Sequence, residues 1–205
     1  MEIRRTANAG VLLTLDNTEI LLDGVCREVE PYLATPPAEK EKLSKHWPDA
    51  VAFTHAHEDH FDEAYALAYA RATGREVVRG KLSVGQVTVT PVPTRHMGHW
   101  GLTTPHQSFV IQGSQSVWFL GDASPTELKK LADFPKPDVL ILPYPYVSTP
   151  ASRKMVEALL PCKIVLLHMP LTENDPDQIW QSVAEGMEYL KMYLYVPQMG
   201  EILQF

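Results

Sequence analysis

A short apolar run, Ala50–Thr54, stops at His55-Ala56-His57-Glu58-Asp59-His60, and this junction constrains the fold of the 205-residue chain more than any other stretch. An extended strand sets alternate side chains on one face, so His55 and His57 point together. Asp59 and His60 fall where the chain turns toward a helix expected over Asp62–Thr73, which aims them at a second point close by. Imidazole and carboxylate are the ligands that borderline divalent metals take. A solvated histidine-rich loop is the alternative. The strand in front of the cluster argues against it, because a rigid element holds ligands in place.

The rest of the chain alternates strand-length apolar runs with amphipathic segments. Val11–Leu15 and Glu19–Asp23 read as strands joined at Asp16-Asn17, Gln86–Val92 as a strand ending at Pro93, and Ser108–Gln112 with Ser116–Leu120 as a hairpin around Gly113-Ser114. Val139–Leu142 and Ile164–Leu167 are compact apolar strands. Pro37–Trp47 is helix-like, and Gly74 stops the Asp62–Thr73 helix. Further helix starts are marked at Ser124-Pro125-Thr126-Glu127, in a capping-box pattern, at Thr149-Pro150 for a helix ending near Pro161, and at Asp175–Gln178 for one running to about Leu194. With no linker or repeat, this order suits one domain over residues 1–205, of α/β class, with helices packed against a two-sheet core.

Three more metal-competent residues stand at strand ends: His96, Asp122 and His168. A lone histidine is usually structural; three such residues beside the cluster point to one site. His96-Met97-Gly98-His99 offers two candidates for one position. His96 is expected as the ligand because it is nearer the strand, leaving His99 to face substrate. Asp23 is either a partner of a ligating histidine or a turn residue, and Asp62 is expected to cap its helix. Glu58 is expected to point to solvent, and His46 and His106 read as surface histidines, the latter in a loop.

The net charge of −7 and the absence of a basic run argue against nucleic-acid or anionic-lipid partners. No stretch has the apolar length of a membrane span, and no apolar region follows the first charges, so a cytoplasmic location is expected. Cys26 and Cys162 form no CxxC pair and read as buried thiols in a reducing compartment.

The run Thr54-His55-Ala56-His57-Glu58-Asp59-His60 resembles the HxHxDH signature of the metallo-β-lactamase superfamily. Leu120-Gly121-Asp122 resembles its Gly-Asp step, and Val165-Leu166-Leu167-His168 its last histidine. The short length, Ile141-Leu142-Pro143, the helix after Thr149 and the strand to His168 resemble the small branch related to L-ascorbate-6-phosphate lactonase and a group of uncharacterised metal-dependent hydrolases. The resemblance implies a four-layer αβ/βα sandwich. It implies His55, His57 and His96 on a first metal, Asp59, His60 and His168 on a second, and Asp122 bridging. It implies hydrolysis of a small ester, lactone or phosphoester by a hydroxide that two divalent ions activate. Zinc is expected, with manganese or iron as alternatives. Asp59 is expected to orient the hydroxide as well as bind metal. His99, Tyr144 and Tyr146 are candidate proton donors for the leaving group. A phosphodiesterase or nuclease, a di-iron oxygen- or NO-handling protein and a non-catalytic metal module are the competing readings. The expected partner is a small-molecule substrate, with a homo-oligomer left open. The Val25–Trp47 segment is expected near the mouth of the site.

Overall fold

The computed structural model describes residues 1–160 and 162–205, and of Trp100 only the backbone. Strands β1 (Glu2–Arg5), β2 (Val11–Leu15), β3 (Thr18–Leu22) and β4 (Ala50–Ala52) build a first sheet. A second sheet holds β5 (Leu82–Val84), β6 (Val87–Arg95), β7 (Pro105–Gln112), β8 (Ser116–Phe119), β9 (Val139–Pro143), β10 (Lys163–Leu167) and β11 (Leu194–Tyr195), in the order β11-β10-β9-β8-β7-β6-β5. The last strand, β12 (Ile202–Gln204), returns to pair with β1, giving the first sheet the order β12-β1-β2-β3-β4.

Alternation along the strands explains the layers. Leu13, Ile20, Ala50, Phe119, Ile141 and Val165 fill a core between the two sheets. Their neighbours Leu12, Leu21 and Val51 face outward onto helices α1 (Pro37–Lys45) and α2 (Glu63–Thr73), with Tyr65 and Tyr69 of α2 in the same cluster. On the far side Trp118, Leu140, Leu142, Ile164 and Leu166 cluster with Val147 of α3 (Pro145–Ser148), Val156 of α4 (Pro150–Glu157) and Val183 of α5 (Ile179–Leu190). Central strands buried on both faces have little polar alternation. The result is the expected αβ/βα sandwich.

Local chemistry accounts for most boundaries. Asp16 and Asn17 both adopt positive φ (50° and 59°), as a tight turn between β2 and β3 requires. Asp62 caps α2 through Tyr65 N–H at 3.1 Å, and Gly74 ends it in the left-handed region at φ 70°.

Several expectations need correcting. β6 continues through Pro91 and Pro93 to Arg95, because past Val89 it is paired with β7 alone and one edge needs no donor. β7 starts at Pro105, three residues early, so His106 lies on a strand opposite Thr94. The Ser124 segment forms a 3-10 helix, Pro125–Leu131, without a side-chain cap: Glu127 accepts from Arg95 N–H at 2.9 Å instead of closing a capping box. α5 starts later than expected, at Ile179 after Gln178, with Asp175 still accepting from Ile179 and Trp180 N–H (2.8 and 2.9 Å), and it ends at Leu190. The Thr149-capped helix ends at Glu157; Pro161 lies outside the described residues.

Candidate metal centre

The strand ends of both sheets meet at one edge, where β4 delivers His55 and His57. His60 follows in a turn closed by His60 and Phe61 N–H on the His57 carbonyl, at 3.0 and 2.9 Å. His96 and His168 follow β6 and β10, and Asp122 follows β8. The Gly121-Asp122 step depends on glycine. Gly121 has φ 52°, and a Cβ there would lie 2.5 Å from the Thr54 side chain.

Two groups of ligating atoms form: His55, His57 and His96, and beside them Asp59, His60 and His168, the atoms of each within 4.8 Å of one another. Asp122 stands between them. Its carboxylate lies 3.4 Å from His60 Nε2, 3.5 Å from His96 Nε2 and 3.7 Å from His168 Nε2. Asp59 sits 3.1 Å from His168 Nε2. A third grouping, Asp23 with His55 and His60, satisfies the same spacing. There both Asp23 oxygens are already taken, by Thr54 N–H (2.7 Å), Thr54 Oγ1 (2.6 Å) and His60 Nδ1 (2.8 Å). Asp23 therefore orients rather than ligates.

The hydrogen bonds fix where the imidazole protons are. Asp23 can only accept, so His60 Nδ1 carries a proton. Thr54 donates its hydroxyl proton to Asp23, so His55 Nδ1, 2.9 Å from that hydroxyl, must donate to it. His96 Nδ1 donates to the Met97 carbonyl at 2.8 Å. In its neutral form each of these rings therefore turns a bare Nε2 inward, and all three Nε2 atoms, with Asp122 Oδ1, are buried without a hydrogen-bond partner. Buried lone pairs without partners are costly. Converging as they do, they fit divalent cations.

Without a cation, the electrostatics favour a second proton on His60, facing Asp122, which a bound cation would displace. Burial pulls His60 toward the neutral form, but Asp122 and Asp23 outweigh it and raise its pKa well above the usual imidazole value. Burial favours neutral Asp122, yet the histidines around it, His168 and His60 first, hold it well below the carboxylate range. Burial drives His55 far down.

Residues outside the expected set also belong to the wall. His106 is 7 % exposed, so it is no surface histidine, and its ring centroid is 5.1 Å from that of His55. Ser108 donates to the Leu120 carbonyl, which makes Thr94 the donor to Ser108 and His106 Nδ1 the donor to Thr94 (2.8 Å). His106 thus also carries a bare, buried Nε2, but it joins neither ligand group. Burial takes its pKa down to about 3. Thr104 Oγ1 is 3.3 Å from His57 Nε2. Tyr32 sets its ring edge-on to His168, centroids 4.3 Å apart, on a loop that Arg27 N–H ties to the Glu58 carbonyl at 2.7 Å. The first part of the Val25–Trp47 segment therefore does border the site, and the second is α1. His99 is exposed on the 3-10 turn Gly98–Leu102, outside both groups. Glu58 is exposed and pairs with Arg27, and His46 is exposed. Tyr146 is buried and its hydroxyl donates to the Ala123 carbonyl at 2.9 Å, which removes it as a proton donor to substrate.

Sequence comparison accords with this geometry. Residues 2–166 match the family model of the beta-lactamase superfamily domain, and the chain belongs to that superfamily. It is similar to a UPF0173 metal-dependent hydrolase of Methanopyrus kandleri, 26 % identical over 201 residues that span 82 % of this chain and 87 % of the relative. Among solved structures, a possible metal-dependent hydrolase from Veillonella parvula has a TM-score of 0.76 at 17 % identity, covering 100 % of this chain and 99 % of that one. The isothiocyanate hydrolase from Delia radicum gut bacteria has a TM-score of 0.74 at 19 % identity, covering 100 % and 99 %. These two likenesses show the fold.

Proposed function

We propose that the chain is a metal-dependent hydrolase with a dinuclear centre, acting on a small ester, lactone or phosphoester. The observation that carries this is the set of bare Nε2 atoms converging on Asp122. On this reading His55, His57 and His96 hold one ion, Asp59, His60 and His168 the other, and Asp122 bridges, with zinc the expected metal. Divalent ions so held act as Lewis acids and supply a nucleophile at neutral pH.

The chain's own groups fill the other roles. Asp23 keeps His60 in its tautomer, and Thr54 does the same for His55. A cavity of about 460 Å³, walled by Phe53, Phe61, Val77 and Pro105, opens beside His55 and His106 and suits the body of a small substrate. Burial raises the pKa of Tyr32 and Tyr144, whose hydroxyls interact with each other near His168, so both keep their protons at neutral pH. Tyr144 can therefore donate to a substrate oxygen, and His99 at the exposed turn is the second donor candidate.

Elemental analysis of protein purified without added metal tests the reading. About two equivalents per chain are expected, falling below one in the His57→Ala, Asp122→Ala double variant. Absence of metal from both proteins, even after reconstitution, would sink it.

A further inference from the structure

Behind the wall that carries His168 lies a second cavity, of about 420 Å³, lined in part by Leu33, Met169, Leu171, Trp180 and Met199. Arg5 and Asn8 stand in this largely apolar lining, with Thr172, Glu173 and Gln198 as its other polar residues. Arg5 donates from Nε to the Ala7 carbonyl (3.2 Å), from one terminal nitrogen to the Pro197 carbonyl (2.9 Å) and from the other to the Asn8 carbonyl (3.2 Å). A guanidinium has five N–H groups, so one remains on each terminal nitrogen. Its acceptors are neutral carbonyls, and no carboxylate pairs with it among the described residues. Burial accordingly lowers its pKa, opposed by Cys26. Asn8 is 2 % exposed, and its amide nitrogen has no partner. The one acid in the lining, Glu173, is exposed and accepts from the Thr172 hydroxyl at 3.0 Å.

An unmatched cation, an amide donor lacking an acceptor and apolar walls together describe the complement of an amphiphilic anion. We infer that this cavity is a binding site for small carboxylates with an apolar body, held by Arg5 and Asn8. The N–H left on each terminal nitrogen is available to the oxygens of a carboxylate, the anion a guanidinium favours. The site adjoins the metal centre without sharing its donors. The Asn8 carbonyl also accepts from His168 N–H at 3.3 Å, and Leu33 follows Tyr32, whose ring meets His168. It stands independently of the hydrolase reading.

Hexanoate and its neutral isostere hexanamide distinguish this from simple apolar filling. Isothermal titration of chelator-treated protein is expected to show hexanoate bound about tenfold more tightly than hexanamide, as charge-assisted hydrogen bonds imply. Trp180 fluorescence should change in parallel. Arg5→Gln should abolish the preference. Because Arg5 also ties backbone segments together, Leu33→Glu is the second variant: Leu33 is 44 % exposed, so the fold tolerates the change while an acid is set at the cavity. It should weaken hexanoate at least about tenfold and leave the melting temperature unchanged. Equal binding of the two probes, or hexanoate binding in folded Leu33→Glu as tight as in the parent, overturns the proposal. So does binding that needs metal, which would put the carboxylate at the metal centre.

Discussion

Asp23 acts on the site without joining it. It holds Thr54 by two hydrogen bonds and His60 by a third, at φ 46°, a conformation that is uncommon outside glycine. Replacing it with alanine frees the tautomers of both His60 and His55. Metal affinity in Asp23→Ala should fall about 10- to 100-fold, read by competition with a chromophoric chelator; unchanged affinity would mean the histidines orient themselves. His106 makes the opposite case. It shares the tautomer of the ligands but not their spacing, so His106→Gln should keep its full metal content while turnover of any substrate found for the enzyme changes. A lost equivalent of metal would make it a ligand. Of this residue-level detail, the His55–His60 run and the strand-end positions of His96, Asp122 and His168 were legible in the sequence, because strands announce themselves and ligands follow them. Tyr32, Asn8 and Thr104 were not, since each lies in a loop whose course tertiary contacts decide.

Among the elements, α2 is the most readable, with an aspartate cap, an alanine-rich body and a glycine stop. The cap carries a second interaction, an ion pair to Lys40 at 2.8 Å. Burial tends to raise the Asp62 pKa, but Lys40 and Tyr65 N–H outweigh it and hold the pKa below the ordinary value. A carboxyl lowered in the folded state adds stability that is full above its unfolded pKa of about 3.9 and fades as pH falls through the folded one. Urea unfolding should show Asp62→Ala less stable by about 1 kcal/mol at neutral pH, the gap narrowing in acid. Asp62→Asn should keep most of the cap. A gap that widened in acid would contradict this account. β6 shows where element reading fails. Proline looks like a strand end, yet Pro91 and Pro93 lie on an edge, and the strand runs on to set Thr94 against His106. One misplaced boundary hid a buried histidine.

For the whole molecule, the metal centre couples the two sheets. Metal held a hundredfold above its dissociation constant adds about 2.7 kcal/mol, so chelation should lower the melting temperature by about 5 to 11 °C. An unchanged melting temperature would show that the native fold holds no ion. Cys26 and Cys162 are both free and buried, and burial pushes the Cys162 thiol up to about 11. Thiol reagents should therefore label the native protein slowly and the unfolded protein at two sites per chain. Rapid native labelling would mean that these cysteines are accessible. Among the described residues no helix is long and apolar enough to cross a membrane. The two-sheet core with helices packed on it was readable in the apolar runs, because the central strands serve two cores at once, whereas the four-layer order followed from the resemblance to the metallo-β-lactamase superfamily.

The donors of the centre are scattered along the chain, with Asp59 and its contact His168 separated by 109 positions. During synthesis at about 5 to 20 residues per second, roughly 5 to 20 s separate their appearance. His96 completes the first group partway through that interval and Asp122 follows later, but the second group stays open until His168 appears. An ion captured before its group is complete would be loosely held and exchangeable. The identity of the resident metal is then decided late, by the finished pocket rather than by whichever ion first met the emerging histidines.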